Sequence, residues 1–229
     1  MARLHPRLEP ALEQLPRQTP VHLLTRHSVR EEADGGFADY RLQLTEEGVR
    51  LAEDWGARLG RPISRLTSSP VPRCVDTARA LHRGGLRQGL ARDEPEVEEA
   101  SVLVEPGSYV QDVRAASTFF ELGAVGFINR HLGEGIRGVL TPAEGRTRLV
   151  RYLLEREPEP GALAVHVTHD TILAAFVAGL HGHARIEADD WPWMMEGLWL
   201  WFADEQLHWI WRGESARRSL SDILEPAGC

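Results

Sequence analysis

The sequence predicts an α/β domain, and three observations carry that prediction. Apolar runs of strand length recur at residues 21–25, 63–67 and 162–168. The first and last of these deliver a histidine into the following loop, and each run leads through a polar stretch into a segment with helical periodicity. With 229 residues, 42% hydrophobic and 26% charged, the chain is long enough to bury a sizeable core and too apolar for disorder. No internal repeat or linker divides it, so residues 1–229 are read as one domain.

In chain order, residues 1–19 read as a leader or short amphipathic helix with Leu8, Leu12 and Leu15 on one side. Strand 21–25 follows, then a polar loop through Asp34-Gly35-Gly36. Thr45 stands as an N-cap, with Glu46 and Glu47 in a first turn where the helix dipole favours negative charge. Val49, Ala52, Trp55, Ala57 and Leu59 give that helix an apolar stripe ending near Gly60. After strand 63–67, Pro70 and Pro72 suit a loop and a helix N-terminus, which puts Arg73 in the first turn and Arg79 on the surface. Val97 to Val104 reads as a third strand. Residues 105–147 read as a helical excursion over the site, and Thr141-Pro142-x-Glu144 predicts a capping box for a helix to Arg156. Strand 162–168 feeds an apolar helix from Thr171 to Leu180. Leu198 to Phe202 and Leu207 to Trp211 close the chain as a hairpin around Asp204-Glu205, its alternating tryptophans Trp199, Trp201, Trp209 and Trp211 packing against the sheet's flanking helices.

Composition excludes several kinds of chemistry. The formal charge is -8, and all 26 basic residues are arginine. Without lysine there is no Schiff base and no P-loop. With an acidic balance and no basic run, neither nucleic acid nor an anionic membrane is an expected partner. Cys74 and Cys229 make no disulfide framework and no metal spacing. No run approaches the roughly 18 apolar residues of a membrane span, so a soluble cytoplasmic protein is the default expectation. Nothing in the sequence sets an oligomeric state.

The residues that carry chemistry start at Arg26-His27-x-x-Arg30, just beyond the first strand. Ligands of open α/β sheets bind beyond the carboxyl ends of strands. Neutral imidazole is a nucleophile near pH 7, and a guanidinium matches phosphate oxygens two at a time. The pentapeptide therefore reads as a phosphate site with its own attacking atom. Arg73 adds a cation beside free N–H groups of a helix start, and His169-Asp170 supplies a second imidazole with a carboxylate.

Four fragments in order, Arg26-His27-x-x-Arg30, Leu44-Thr45-x-x-Gly48, Ser68-Ser69-x-x-x-Arg73-Cys74-x-x-Thr77-Ala78 and Thr168-His169-Asp170-Thr171, resemble the signature of the histidine phosphatase superfamily, which includes phosphoglycerate mutases and acid phosphatases. The resemblance implies a three-layer α/β/α sandwich with a largely parallel central sheet. It implies a phosphomonoester hydrolase acting on a small phosphorylated substrate through a phosphohistidine, with no metal and no cofactor. His27 resembles the nucleophile, and Arg26, Arg30, Arg73 and His169 resemble the phosphoryl pocket. The second nitrogen of His27 is expected to donate to a backbone carbonyl.

Two departures stand out. Ser28 occupies the place of the family's usual glycine, where its hydroxyl could tilt the loop or reach phosphate. The general acid has two candidates: small members take it from a glutamate after the third strand, whereas larger acid phosphatases use a His-Asp pair. Asp170 is the expected acid and Glu105 its rival. Three other readings remain at this stage. One is phosphoglycerate mutase-type transfer, another a metal-dependent phosphohydrolase built on His166-x-x-His169-Asp170, and the third an inactive phosphate-binding scaffold. His22 and His166 are otherwise read as core or supporting groups, and Arg130-His131 as a chance repeat of the dipeptide. Residues 105–147 and Trp191 to Met195 are candidates for the leaving-group side.

Overall fold

The computed structural model describes residues 3–32, 39–91 and 96–225, so the expected Asp34-Gly35-Gly36 loop and Cys229 lie outside the described residues. Its centre is a seven-stranded sheet in the order β3-β2-β4-β1-β5-β6-β7. The strands are β1 (Val21–Arg26), β2 (Ile63–Ser68), β3 (Glu98–Glu99), β4 (Leu163–Thr168), β5 (Gly197–Ala203), β6 (Gln206–Trp211) and β7 (Glu214–Ser219). The first four are mutually parallel and the last three run as an antiparallel meander from β1. Among the described residues, six α-helices flank the sheet: α1 (Glu46–Gly56), α2 (Pro72–Arg87), α3 (Ala116–Gly133), α4 (Pro142–Leu154), α5 (Asp170–His181) and α6 (Leu220–Leu224).

Strand alternation sorts the core into two layers. Leu23 joins Trp55, Leu81 and Val165 on the α1/α2 face, while Leu24 joins Leu149, Phe176 and Leu198 on the α4/α5 face. β1 and β4 are buried along their whole length, as parallel strands covered on both faces must be. α1 and α2 approach backbone to backbone. A Cβ on Gly84 would stand 1.9 Å from the Glu53 carbonyl oxygen, which is why glycine is needed there.

Several expectations hold residue by residue. Thr45 Oγ1 accepts the Gly48 N–H and caps α1, and Thr141 with Glu144 forms the capping box of α4. Asp204 and Glu205, at φ 51° and 58°, make the two-residue turn of the β5/β6 hairpin, the twist a primed turn demands.

Three expectations need correction. The third strand is two residues long, not eight. β2 ends at Ser68 to form the loop before α2, so β3 pairs only through Glu98 and Glu99, and Val102 and Leu103 bury themselves in a 3-10 turn instead. The leader is a 3-10 turn at Pro10–Gln14 that buries Leu8, Ala11 and Leu15, while Leu12 stays partly exposed. The hairpin carries a third strand, β7, whose residues Glu214-Ser-Ala-Arg-Arg-Ser219 lack apolar alternation because it is a charged sheet edge.

Candidate active site

β1, β2 and β4 end side by side, and the sheet register puts Arg26 opposite Thr168. His27, the Ser68-Ser69 loop and His169 therefore emerge at one edge. His27 N–H donates to the Thr168 carbonyl at 3.0 Å, and Ser69 N–H donates to the Val167 carbonyl at 2.8 Å, which ties the three loops together. The histidine loop is also anchored on α1. Thr45 N–H donates to the Val29 carbonyl at 3.0 Å, and a Cβ on Gly48 would lie 2.0 Å from that same oxygen, so the Thr45-x-x-Gly48 pattern is a seat for this loop.

Ser28 faces away from the pocket. Its N–H donates to Thr77 Oγ1 at 3.0 Å and its hydroxyl donates to the Gly48 carbonyl at 2.7 Å. The serine replaces the usual glycine by pinning the loop to α1 and α2, without offering its oxygen to the site.

His27 is 2% exposed. Its Nδ1 lies 2.8 Å from the Ser28 carbonyl, which fixes the proton on Nδ1 and leaves Nε2 with a free lone pair. Burial, reinforced by His169, Arg26 and Arg73, holds its pKa well below the usual imidazole range, so the ring is neutral at pH 7. Arg73 Nε donates to His27 Nε2 at 3.1 Å. The same guanidinium reaches the Asp39 carbonyl at 3.0 Å and His169 Nδ1 at 3.4 Å, and stands over the Tyr40 ring. His169, with Nδ1 facing a donor, carries its proton on Nε2 and donates to Ser69 Oγ at 2.9 Å. Burial and the neighbouring guanidiniums lower its pKa, so it too is neutral. Cys74 lies beneath, 3.6 Å from His169 Nε2, with burial raising its thiol to about 12.

The remaining expected residues divide. Arg30 lines the cavity together with Arg73, His169, Asp170 and Glu105. Arg26 is turned to the margin: one nitrogen donates to the Pro192 carbonyl at 2.6 Å and another pairs with Asp170 Oδ2 at 2.6 Å. Asp170 is thereby committed, its second oxygen accepting the Thr171 N–H at 2.9 Å. Glu105 is held differently. Its carboxyl folds back over its own turn and accepts N–H groups of Ser108, Tyr109 and Val110 at 3.2, 2.8 and 2.9 Å. Burial outweighs those bonds and raises its pKa to about 7.

The metal alternative grouped His166 with His169 and Asp170, and the structure separates them. His166 lies inside the sheet core, 3.0 Å from His22 Nδ1 and 2.6 Å from Thr67 Oγ1, with Tyr152 completing the chain at 2.9 Å. Among the described residues no group of three His, Cys, Asp or Glu side chains is placed to hold a metal ion.

The profile of the histidine phosphatase superfamily, branch 1, matches residues 22–198. The chain belongs to this superfamily. No curated protein matches it, whereas solved structures share the fold. Bacillus stearothermophilus YhfR is 17% identical, with a TM-score of 0.55 over 86% of this chain and 98% of that one. A mycobacterial glucosyl-3-phosphoglycerate phosphatase with bound VO3 is 19% identical, with a TM-score of 0.52 over 85% and 100% of the two chains. An Entamoeba histolytica phosphoserine phosphatase bound to phosphoserine is 13% identical, with a TM-score of 0.51 over 87% and 95%. Identities this low carry the fold alone.

Tyr109 and His131, within the 105–147 stretch expected at the leaving-group side, line the superfamily member's cavity, and so does Tyr40, which sequence reasoning missed. Tyr40 lies in a turn and hydrogen-bonds the Glu105 carbonyl, a pairing between distant segments that no local pattern announces. Among the described residues, no helix is long and apolar enough to cross a membrane.

Proposed function

We propose that this histidine phosphatase superfamily member hydrolyses phosphate monoesters through a phosphohistidine on His27. The observation that carries the reading is the tautomer of His27. Its Nδ1 is occupied by the Ser28 carbonyl, while its Nε2 lone pair faces Arg73 in a cluster that also holds His169. Phosphoryl transfer asks a protein chiefly for positioning and for charge on the equatorial oxygens. A phosphoryl group entering here takes the Arg73 N–H groups from the two histidines and gains Arg30 at the cavity wall.

In the first step His27 Nε2 bonds to phosphorus as the P–O ester bond breaks, and the departing oxygen takes a proton. Glu105 is the acid of this reading, in place of the expected Asp170. A carboxyl with a pKa of about 7 is partly protonated at neutral pH, the condition general acid catalysis favours. Asp170 instead holds Arg26 in place. In the second step the Glu105 carboxylate takes a proton from water, the resulting hydroxide bonds to phosphorus, the P–N bond breaks, and phosphate and neutral His27 remain.

The test is hydrolysis of phenyl phosphate in the presence of EDTA, with quenching of labelled substrate during turnover. An acid-labile, base-stable adduct that vanishes in His27→Ala is expected. Label on another residue, or activity lost to EDTA and restored by a divalent metal, overturns the reading.

A further inference from the structure

The cavity beside His27 measures about 690 Å³, room for a whole small-molecule ligand and far more than a phosphate needs. Its charged groups gather at one end, as Arg30, Arg73, Glu105 and Asp170. The rest of the wall is hydrocarbon, contributed by Val110, Phe119, Phe127, Ile128, Val139 and Trp191. α3 supplies much of it. Gly123, at φ 67°, breaks that helix, and residues on both sides of the break line the cavity.

One feature of the hydrocarbon wall is polar. His131 is 2% exposed and neither ring nitrogen has a hydrogen-bond partner among the described residues; burial lowers its pKa to about 4, so the ring is neutral. The buried Tyr109 hydroxyl also lacks a partner, and the Tyr109 and His131 rings meet edge to face at 5.4 Å. Tyr109 is wedged in place, since a Cβ on Gly145 would lie 2.0 Å from its ring. The polar atoms of both rings are buried away from the cavity surface, so neither is open to a ligand.

We propose that the substrate is the monophosphate of a bulky, largely hydrocarbon alcohol. This rests on the phosphatase reading for the fate of the phosphate, but the wall that selects the leaving group is separate from His27. A polyol or a second carboxylate would lose water against phenylalanine and valine side chains with no partner in exchange. A hydrocarbon gains about fourfold in affinity for each methylene buried.

The test uses phosphonates, which bind without turnover, measured by calorimetry. Methyl-, butyl- and octylphosphonate are compared with a polyol phosphonate of octyl size. Affinity should rise by at least about 10²-fold from methyl to octyl, with the polyol far weaker. In Ala124→Asp, a charge placed in the cavity wall, the ratio of octyl to methyl affinity should fall. A flat chain-length series, or a polyol that binds tighter than octyl, overturns the substrate class. Hydrolysis of phenyl phosphate by wild type and His27→Ala is run alongside. No hydrolysis by the wild type, or equal hydrolysis by His27→Ala, with the phosphonate series intact refutes the phosphatase reading and leaves the hydrocarbon site standing.

Discussion

The edge where β1, β2 and β4 end and the wall built by residues 109–139 face the same cavity, yet they are made on different principles. At the strand ends the loops around His27 are tied by specific polar contacts, with Ser28 holding Gly48, Ser69 holding His169 and Thr77 holding the Ser28 N–H, while Arg26 Nε and Arg30 Nε stay without a partner among the described residues. Across the cavity, side chains pack by shape around a broken helix, and no ligand-facing polar contact is specified by Tyr109 or His131, whose polar atoms are buried. A phosphoryl group has fixed charge and fixed geometry, so its cradle must be stiff and is specified residue by residue. A leaving group varies in size and shape, and an apolar wall can be re-cut without disturbing the chemistry.

The sharpest way to break this comparison is at the nucleophile. His27→Ala should lower kcat on every ester by at least about 10⁴-fold, whatever the leaving group, as loss of an attacking atom does. A loss that depends on the leaving group would show that the two sides are not independent.

The next effect separates the two carboxyls. Glu105→Gln should slow alkyl phosphates by roughly 10²- to 10⁴-fold while sparing the phosphorylation step of a nitrophenyl ester, whose leaving group hardly needs a proton. Asp170→Asn releases Arg26 and should lower both substrates alike. Steady-state rates on the two ester types decide it, and the reverse pattern returns the acid role to Asp170. Arg73→Gln should cost about 10²- to 10³-fold, uniformly across esters, because its N–H groups act on the phosphoryl oxygens.

Glu105 also sets a pH dependence. Its folded pKa of about 7 lies above the ordinary 4.5, so the native state holds the proton more tightly than the unfolded chain. Alkyl ester hydrolysis should therefore fall as pH rises through about 7. The stability contribution of this carboxyl, complete below about 4.5, should be lost between there and about 7. pH-rate profiles and denaturant midpoints should show both limbs in the wild type and neither in Glu105→Gln.

The smallest effect concerns Ser28. Ser28→Gly removes one hydrogen bond to the Gly48 carbonyl and should cost about 1 kcal/mol, or roughly 2–4 °C in Tm, with kcat changed by less than severalfold. A large loss of kcat with unchanged Tm would instead put the hydroxyl in contact with phosphate.

The sequence by itself determined the charged side of this protein. Strands at 21–25, 63–67 and 162–168, the caps at Thr45 and Thr141, and His27, Arg30, Arg73 and His169 beyond the strand ends are local patterns: a run of apolar residues, a cap three residues from its partner, a histidine after a strand. Each is written within a few residues, and the parallel order of the strands brings them to one edge. Only the tertiary structure decided the rest. The shortness of β3 follows from β2 ending at Ser68, and the ion pair of Arg26 with Asp170 joins the ends of two strands far apart in sequence. The raised carboxyl of Glu105 depends on burial, and burial is a property of everything packed around a residue. His131 makes the same point from the other direction. As part of an Arg-His dipeptide it looked like a chance repeat, and only the fold of residues 105–147 around it turned an unremarkable helix position into an unpaired imidazole on a cavity wall. Hydrocarbon packing is nondirectional, so many sequences fill one shape and none announces where the cavity is left.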